Sequence, residues 1–124
     1  MVFPAGFLVA VDTTGASAAT VDPAKWYVPV NHNSGKALDD YNFGTADGSS
    51  LAQWTRTDAA NHQWRFLDSG NGYHRLQNRT SGRVLDDYNW STADGTDIVQ
   101  WTDRDAANQH LRLADSTGGY LPAC

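Results

Sequence analysis

The chain has 124 residues, with nine Lys and Arg against fourteen Asp and Glu, a formal charge of −5 and a pI near 5.0. This length makes about one domain with a modest core, and an acidic chain with scattered basic residues argues against a nucleic-acid partner, whose phosphates demand clustered Lys and Arg. No run of about 18 apolar residues occurs, so no membrane-spanning helix is expected. Charged residues make up only 19% while Gly (11) and Trp (5) are common, which fits short strands joined by polar turns, with aromatic rings left for a core or a binding face.

Residues 1–24 read differently from the rest. Phe7-Leu8-Val9-Ala10-Val11 is a short apolar run, and Ala16-Ser17-Ala18 followed by Ala19 has the small-residue spacing of a signal-peptidase site. No Lys or Arg opens the segment and Asp12 interrupts it, so two readings stand: a degenerate signal peptide, or a β-strand of the folded domain. From residue 25 onward the chain is a repeat. Leu38-Asp39-Asp40-Tyr41-Asn42 returns as Leu85-Asp86-Asp87-Tyr88-Asn89, an offset of 85 − 38 = 47 residues that also relates Thr45-Ala46-Asp47-Gly48 to Thr92-Ala93-Asp94-Gly95 and Gln53-Trp54-Thr55 to Gln100-Trp101-Thr102. The copies are residues 26–72 and 73–119.

Each copy holds four short apolar segments: 26–30, 37–38, 51–54 and 64–67 in the first, then 73–76, 84–85, 98–101 and 111–113 in the second. Asn33-Ser34-Gly35 and Thr80-Ser81-Gly82 supply a tight turn after the first strand, where Gly accepts positive φ, and Asp47-Gly48 and Asp94-Gly95 are hairpin signals. No segment longer than about ten residues has helical apolar spacing. The chain is therefore expected to be all-β, with each unit a propeller blade or a trefoil leaf. The sole cysteine, Cys124, forms no intrachain disulfide, though a terminal thiol can link two chains.

Asn33-Ser34-Gly35-Lys36-Ala37-Leu38-Asp39, Thr45-Ala46-Asp47-Gly48, Gln53-Trp54 and Asn61-His62-Gln63-Trp64 resemble the ricin-B-type β-trefoil lectin repeat, also known as carbohydrate-binding module family 13. The resemblance covers residues 26–124. The family signature is Gln-x-Trp preceded by Asn; the first copy has His62 for the Gln and keeps Trp64, while the second keeps Gln109 and has Leu111 for the Trp. The resemblance implies a β-trefoil with two clear leaves and an incomplete third, because a trefoil needs three and residues 120–124 only begin another. Residues 3–11, a second chain, or sequence lost by truncation are the candidates for the rest, with self-association as one route.

The resemblance also implies a site in each copy. The Asp after the second-strand Leu binds vicinal hydroxyls, matched by Asp39 and Asp86; a carboxylate accepts from two hydroxyls at once and such bonds are the stronger kind. The aromatic ending the third strand stacks on the sugar's C–H face, matched by Trp54 and Trp101. The Asn of the signature is matched by Asn61 and Asn108, and the supporting Gln by His62 and Gln109. Tyr41 and Tyr88, with Phe43 and Trp90 two residues on, are candidates for the outer wall, and a Tyr may equally be the stacking ring. Because imidazole changes charge near pH 6.5, the first site is expected to be the more pH-sensitive. Plainer roles are expected for other residues: Asp40 and Asp87 cap loops, Asp47 and Asp94 form turns and hold no calcium, Trp64 and Leu111 are core, and Trp26 and Tyr73 are barrel aromatics.

A repeat that sets out the same Asp, aromatic and Asn twice suits two equivalent binding sites and offers no division of labour between acid, base and nucleophile. No catalytic, metal or phosphate-binding motif occurs, and no cofactor is expected. The expected function is non-catalytic carbohydrate binding, for galactose- or xylose-containing glycans, by a secreted protein or by an appendage of a glycoside hydrolase. The alternative is a non-lectin β-trefoil that binds proteins, such as a protease inhibitor.

Overall fold

The computed structural model describes residues 20–114. The expected strand at 3–11, the signal-like residues 16–19, the start of a third unit at 120–124 and Cys124 all lie outside the described residues. The strands are β1 (Ala37–Asp40), β2 (Leu51–Trp54), β3 (Trp64–Gly70), β4 (Tyr73–Asn78), β5 (Val84–Asp87), β6 (Ile98–Trp101) and β7 (Leu111–Arg112), with single 3-10 turns at Tyr41–Phe43, Ala60–His62, Tyr88–Trp90 and Ala107–Gln109. Strands β1 and β2 form an antiparallel pair, while β3, β4, β5 and β6 run in that order through a second sheet in which β7 also pairs with β4.

The pairing obeys the repeat. Ala37↔Trp54 and Asp40↔Leu51 in the first copy become Val84↔Trp101 and Asp87↔Ile98 in the second. The bridges Tyr27↔Trp64 and Val30↔Ala37 become His74↔Leu111 and Gln77↔Val84. Residues 26–30 therefore occupy the first-strand position, held by two isolated bridges where the second copy has a six-residue strand. Pro29 has no N–H for a ladder, which limits pairing there. Gly35 and Gly82 turn the chain at φ 70° and 73°, as their turn sequences require.

Trp64, Phe66, Leu76, Leu85 and Leu113 form the core cluster, with Val21, Tyr27, Leu38, Leu51, Ile98 and Leu111 packed against it. Trp64 is fully buried and donates its indole N–H to the Leu38 carbonyl at 3.2 Å, so the apolar anchor also holds β1. Phe66 takes edge-to-face contacts from Tyr27 at 5.5 Å and His74 at 6.0 Å, two residues related by the repeat. The expectation that Trp26 and Tyr73 are barrel aromatics is corrected here. Side chains alternate along an extended chain, and it is the next residue, Tyr27 or His74, that faces inward. Trp26 lies between the guanidinium groups of Arg65 and Arg79, at 4.9 and 5.1 Å, and Tyr73 is 40% exposed beside His110.

The units join through backbone and side chains. Ser50 bridges Val99, the Gly48 N–H donates to the Gln100 carbonyl at 2.8 Å, and the Gln100 N–H donates to the Ser49 carbonyl at 3.1 Å. Asp47 accepts from the Thr102 N–H and hydroxyl, both at 2.7 Å, and from Arg83 Nε at 2.8 Å. Asp40, expected to cap a loop, is instead completely buried and accepts from the side-chain amide of Gln100 in the other unit. Burial pushes its carboxyl above the ordinary range, partly offset by that hydrogen bond.

Candidate functional site

Asp39 is the third residue of β1, paired with Ala52 of β2, and the 3-10 turn at Ala60–His62 lays Asn61 and His62 against it. Asn61 Nδ2 donates to Asp39 Oδ1 at 2.8 Å and to the Asp40 carbonyl at 3.3 Å, while His62 Nε2 meets the same Oδ1 at 2.7 Å. The Thr57 N–H donates to His62 Nδ1 at 3.3 Å. An acceptor at Nδ1 places the imidazole proton on Nε2, where it donates to Asp39. Both protein donors fall on Oδ1, so Asp39 Oδ2 has no protein donor among the described residues.

The second copy reaches the same arrangement with an amide. Asn108 Nδ2 donates to Asp86 Oδ2 at 3.3 Å and to the Asp87 carbonyl at 3.2 Å, and Gln109 Nε2 donates to Asp86 Oδ2 at 3.0 Å. The Arg104 N–H donates to Gln109 Oε1 at 3.0 Å, the bond that Thr57 makes to His62. Again one carboxylate oxygen, here Oδ1, is left without a protein donor among the described residues. Asp39 and Asp86 are 3% and 4% exposed, so each offers little besides this free oxygen. Burial raises the Asp86 carboxyl above its ordinary value, against the lowering effect of Gln109.

Aromatic rings flank each carboxylate. The Tyr41 and Trp54 centroids are 6.4 Å apart with the rings inclined by 53°, and Tyr88 and Trp101 repeat this at 6.4 Å and 45°. Trp54 is 54% exposed. Trp101 is half-buried, with the Arg104 guanidinium 6.0 Å from its ring centre. Asp39, Tyr41, Trp54, Asn61 and His62 line one open cleft of about 370 Å³, together with Phe43. All five expected residues of the first copy thus share one cleft. In the second copy, Asp86, Asn108 and Gln109 are joined by hydrogen bonds, and Tyr88 neighbours Trp101.

Two features escaped the sequence reading. The backbone N–H of Thr57 or Arg104 orients the supporting side chain, and backbone donors leave no residue-type signal. The loop after the Asp pair contains consecutive left-handed residues, Asn42 and Phe43 at φ 58° and 55°, and Asn89 and Trp90 at 58° and 58°. Asn accepts this conformation readily, whereas in a bulky residue it costs about 1–2 kcal/mol. The Asn before each aromatic was the available hint.

An all-β fold of repeated leaves, each with a buried carboxylate and a Tyr and Trp pair, defines a β-trefoil domain of the carbohydrate-binding class. The sequence model of the family described as ricin-type beta-trefoil lectin domain-like matches residues 17–101, and the chain belongs to this family. No curated protein matches the chain. Among solved structures it is similar to ThreeFoil, a designed 3-fold symmetric protein, with 42% identity and a TM-score of 0.75 over 77% of this chain and 69% of that one. It is also similar to an exo-beta-1,3-galactanase, 1,3Gal43A, from Clostridium thermocellum, with 34% identity and a TM-score of 0.67 over 85% of this chain and 26% of that one. The mdaA-1 domain shares 31% identity at a TM-score of 0.63, over 92% of this chain and 71% of that one. The match therefore spans about a quarter of the galactanase.

Proposed function

We propose that the chain is a non-catalytic glycan-binding module with two shallow sites, one on Asp39, Tyr41, Trp54, Asn61 and His62, the other on Asp86, Tyr88, Trp101, Asn108 and Gln109. The observation that carries this is the oriented carboxylate with one oxygen left for a ligand, built in both copies together with a Tyr and Trp pair, His62 and Gln109 filling one role. That oxygen accepts from sugar hydroxyls, the Asn amide, whose two N–H bonds go to the carboxylate and to the next residue's carbonyl, offers its oxygen as an acceptor, and the ring receives the C–H face. Galactose- and xylose-containing glycans are the proposed ligands; the similarity to a β-1,3-galactanase supports the galactose reading and the role of an appendage to a glycoside hydrolase, in a secreted protein.

A shallow site with one ring and a few hydrogen bonds binds a monosaccharide at about millimolar Kd, some 4 kcal/mol. The test is a glycan array followed by titration of Asp39→Ala, Asp86→Ala and the double variant. Binding to galactosides or xylosides that each single change weakens and the double change abolishes is expected; normal binding by the double variant sinks the reading. Residues 1–24 are proposed as a partial third leaf that completes the trefoil of 25–124, with self-association as one route, or else as a degenerate signal peptide. Removal of residues 1–18 with no change in Tm or solution mass would contradict the leaf and leave the signal peptide.

A further inference from the structure

Phe43 and Trp90 hold a conformation that their packing does not explain. Each is the second of two consecutive left-handed residues, and neither ring gains compensating burial, being 57% and 60% exposed. The arrangement is built in both copies on different aromatic residues, so aromatic character is retained while size changes. Phe43 lines the same cleft as Asp39, Tyr41 and Trp54, and at about 370 Å³ that cleft lies within the range, roughly 300–1,000 Å³, of small-molecule pockets.

We propose that Phe43 and Trp90 are a second ring platform at the edge of each site, so that each site takes two consecutive pyranose units of a glycan chain. This rests on the glycan-binding reading above. One unit places its hydroxyls on Asp39 or Asp86 and its C–H face on the Tyr and Trp pair. The neighbouring unit packs its own C–H face on Phe43 or Trp90, a contact that needs no hydrogen-bonding group and that tolerates either ring. The exposure of both rings and the strain in both loops are then properties of the unliganded site.

The experiment is calorimetric titration with galactose, β-1,3-linked galactobiose, xylose and xylobiose, in the Asp86→Ala chain for the first site and the Asp39→Ala chain for the second. One disaccharide is expected to bind its site tighter than the matching monosaccharide by roughly 3- to 10-fold, the worth of one additional ring contact. Phe43→Asn and Trp90→Asn should remove this advantage, bringing the ratio of disaccharide to monosaccharide affinity to about one. Asn suits positive φ, so neither variant should melt lower than its parent, and Phe43→Trp should keep or enlarge the advantage. Equal affinities for mono- and disaccharide in the parent chains overturn the proposal, as does a ratio unmoved by the Asn variants or a parallel loss for both sugars. If the wild-type chain binds none of the four, the glycan-binding reading fails and this inference with it.

Discussion

His62 and Gln109 show how different side chains fill one role. Each offers a donor to the site carboxylate and an acceptor to the backbone N–H of Thr57 or Arg104. His62→Gln in an Asp86→Ala chain should therefore keep both bonds and bind sugar within about twofold of its parent, and a large loss would mean that the imidazole itself touches the ligand. The second site weakens in acid, in the carboxylate range. Burial raises Asp86, so its charge, and binding that needs it, is present above the raised value and lost as pH falls through it. Binding at the isolated second site that holds steady through the carboxylate range would contradict this. The copies differ again at Thr57 and Arg104. The Arg104 guanidinium covers part of Trp101, and a sugar stacking on that face must displace it. Arg104→Thr should raise affinity at the second site by about 2- to 5-fold, the worth of an exposed cation–π contact of roughly 0.5–1 kcal/mol; an unchanged Kd would mean that sugar uses another face.

Asp40, at the end of β1, shows what an element can hide. It is completely buried, one oxygen accepts from Gln100 and the other has no partner in the structure described. Burial raises its carboxyl, so the sign follows: the ionised form costs stability at neutral pH, and that cost is relieved as pH falls through the raised value. Asp40→Asn keeps the acceptor for Gln100 without the charge, and thermal melts should show it at least as stable as wild type at pH 7, with the gap closing toward acid. Asp40→Ala leaves one of the two Gln100 Nε2 hydrogens without an acceptor, the other still reaching the Gly44 carbonyl at 3.1 Å, and should cost about 1–3 kcal/mol at pH 7. The all-β class, the strand positions and the joining of Asp39 to Asn61 and His62, and of Asp86 to Asn108 and Gln109, were legible because a repeat doubles every local signal: Asp39 was read together with Asp86, and Trp54 with Trp101. The Asp40–Gln100 pair was not legible, since it joins residues of different units at a separation that is not the repeat offset. Trp26 and Tyr73 were misplaced for a simpler reason. Each begins its copy as a large aromatic, but facing is set by alternation along the strand, and Tyr27 and His74 hold the inward positions. The strained backbone at Phe43 and Trp90 left only the preceding Asn as a mark, because an aromatic residue type does not itself encode a left-handed conformation.

At the scale of the molecule, the repeat sets equal residues in unequal surroundings. Asp47 ties the first unit to Thr102 and Arg83 of the second, whereas its repeat mate Asp94 is exposed and has no partner among the described residues. Those hydrogen bonds lower the Asp47 carboxyl, so its contribution to stability is present at neutral pH and is lost as pH falls below the ordinary carboxylate value. Asp47→Ala should melt below wild type at pH 7 with the difference vanishing in acid, and Asp94→Ala should melt with wild type throughout; equal losses would show that Asp94 also joins two units.

The two proposed sites, by contrast, would act together. A millimolar site is of little use alone, but two sites on one rigid body convert the second contact into an intramolecular one, and avidity can exceed the single affinity by about 10²-fold. Free galactose in solution gives no such advantage, so Asp39→Ala and Asp86→Ala should each remove one binding equivalent and leave the remaining Kd unchanged. On a surface dense in the same sugar, each single change should cost at least about 10-fold in apparent affinity, because either loss ends bivalent contact. Parallel calorimetry and surface-binding measurements decide between the cases. Equal effects in the two formats would mean that the sites cannot reach one glycan surface together, and the duplication would then serve the fold alone.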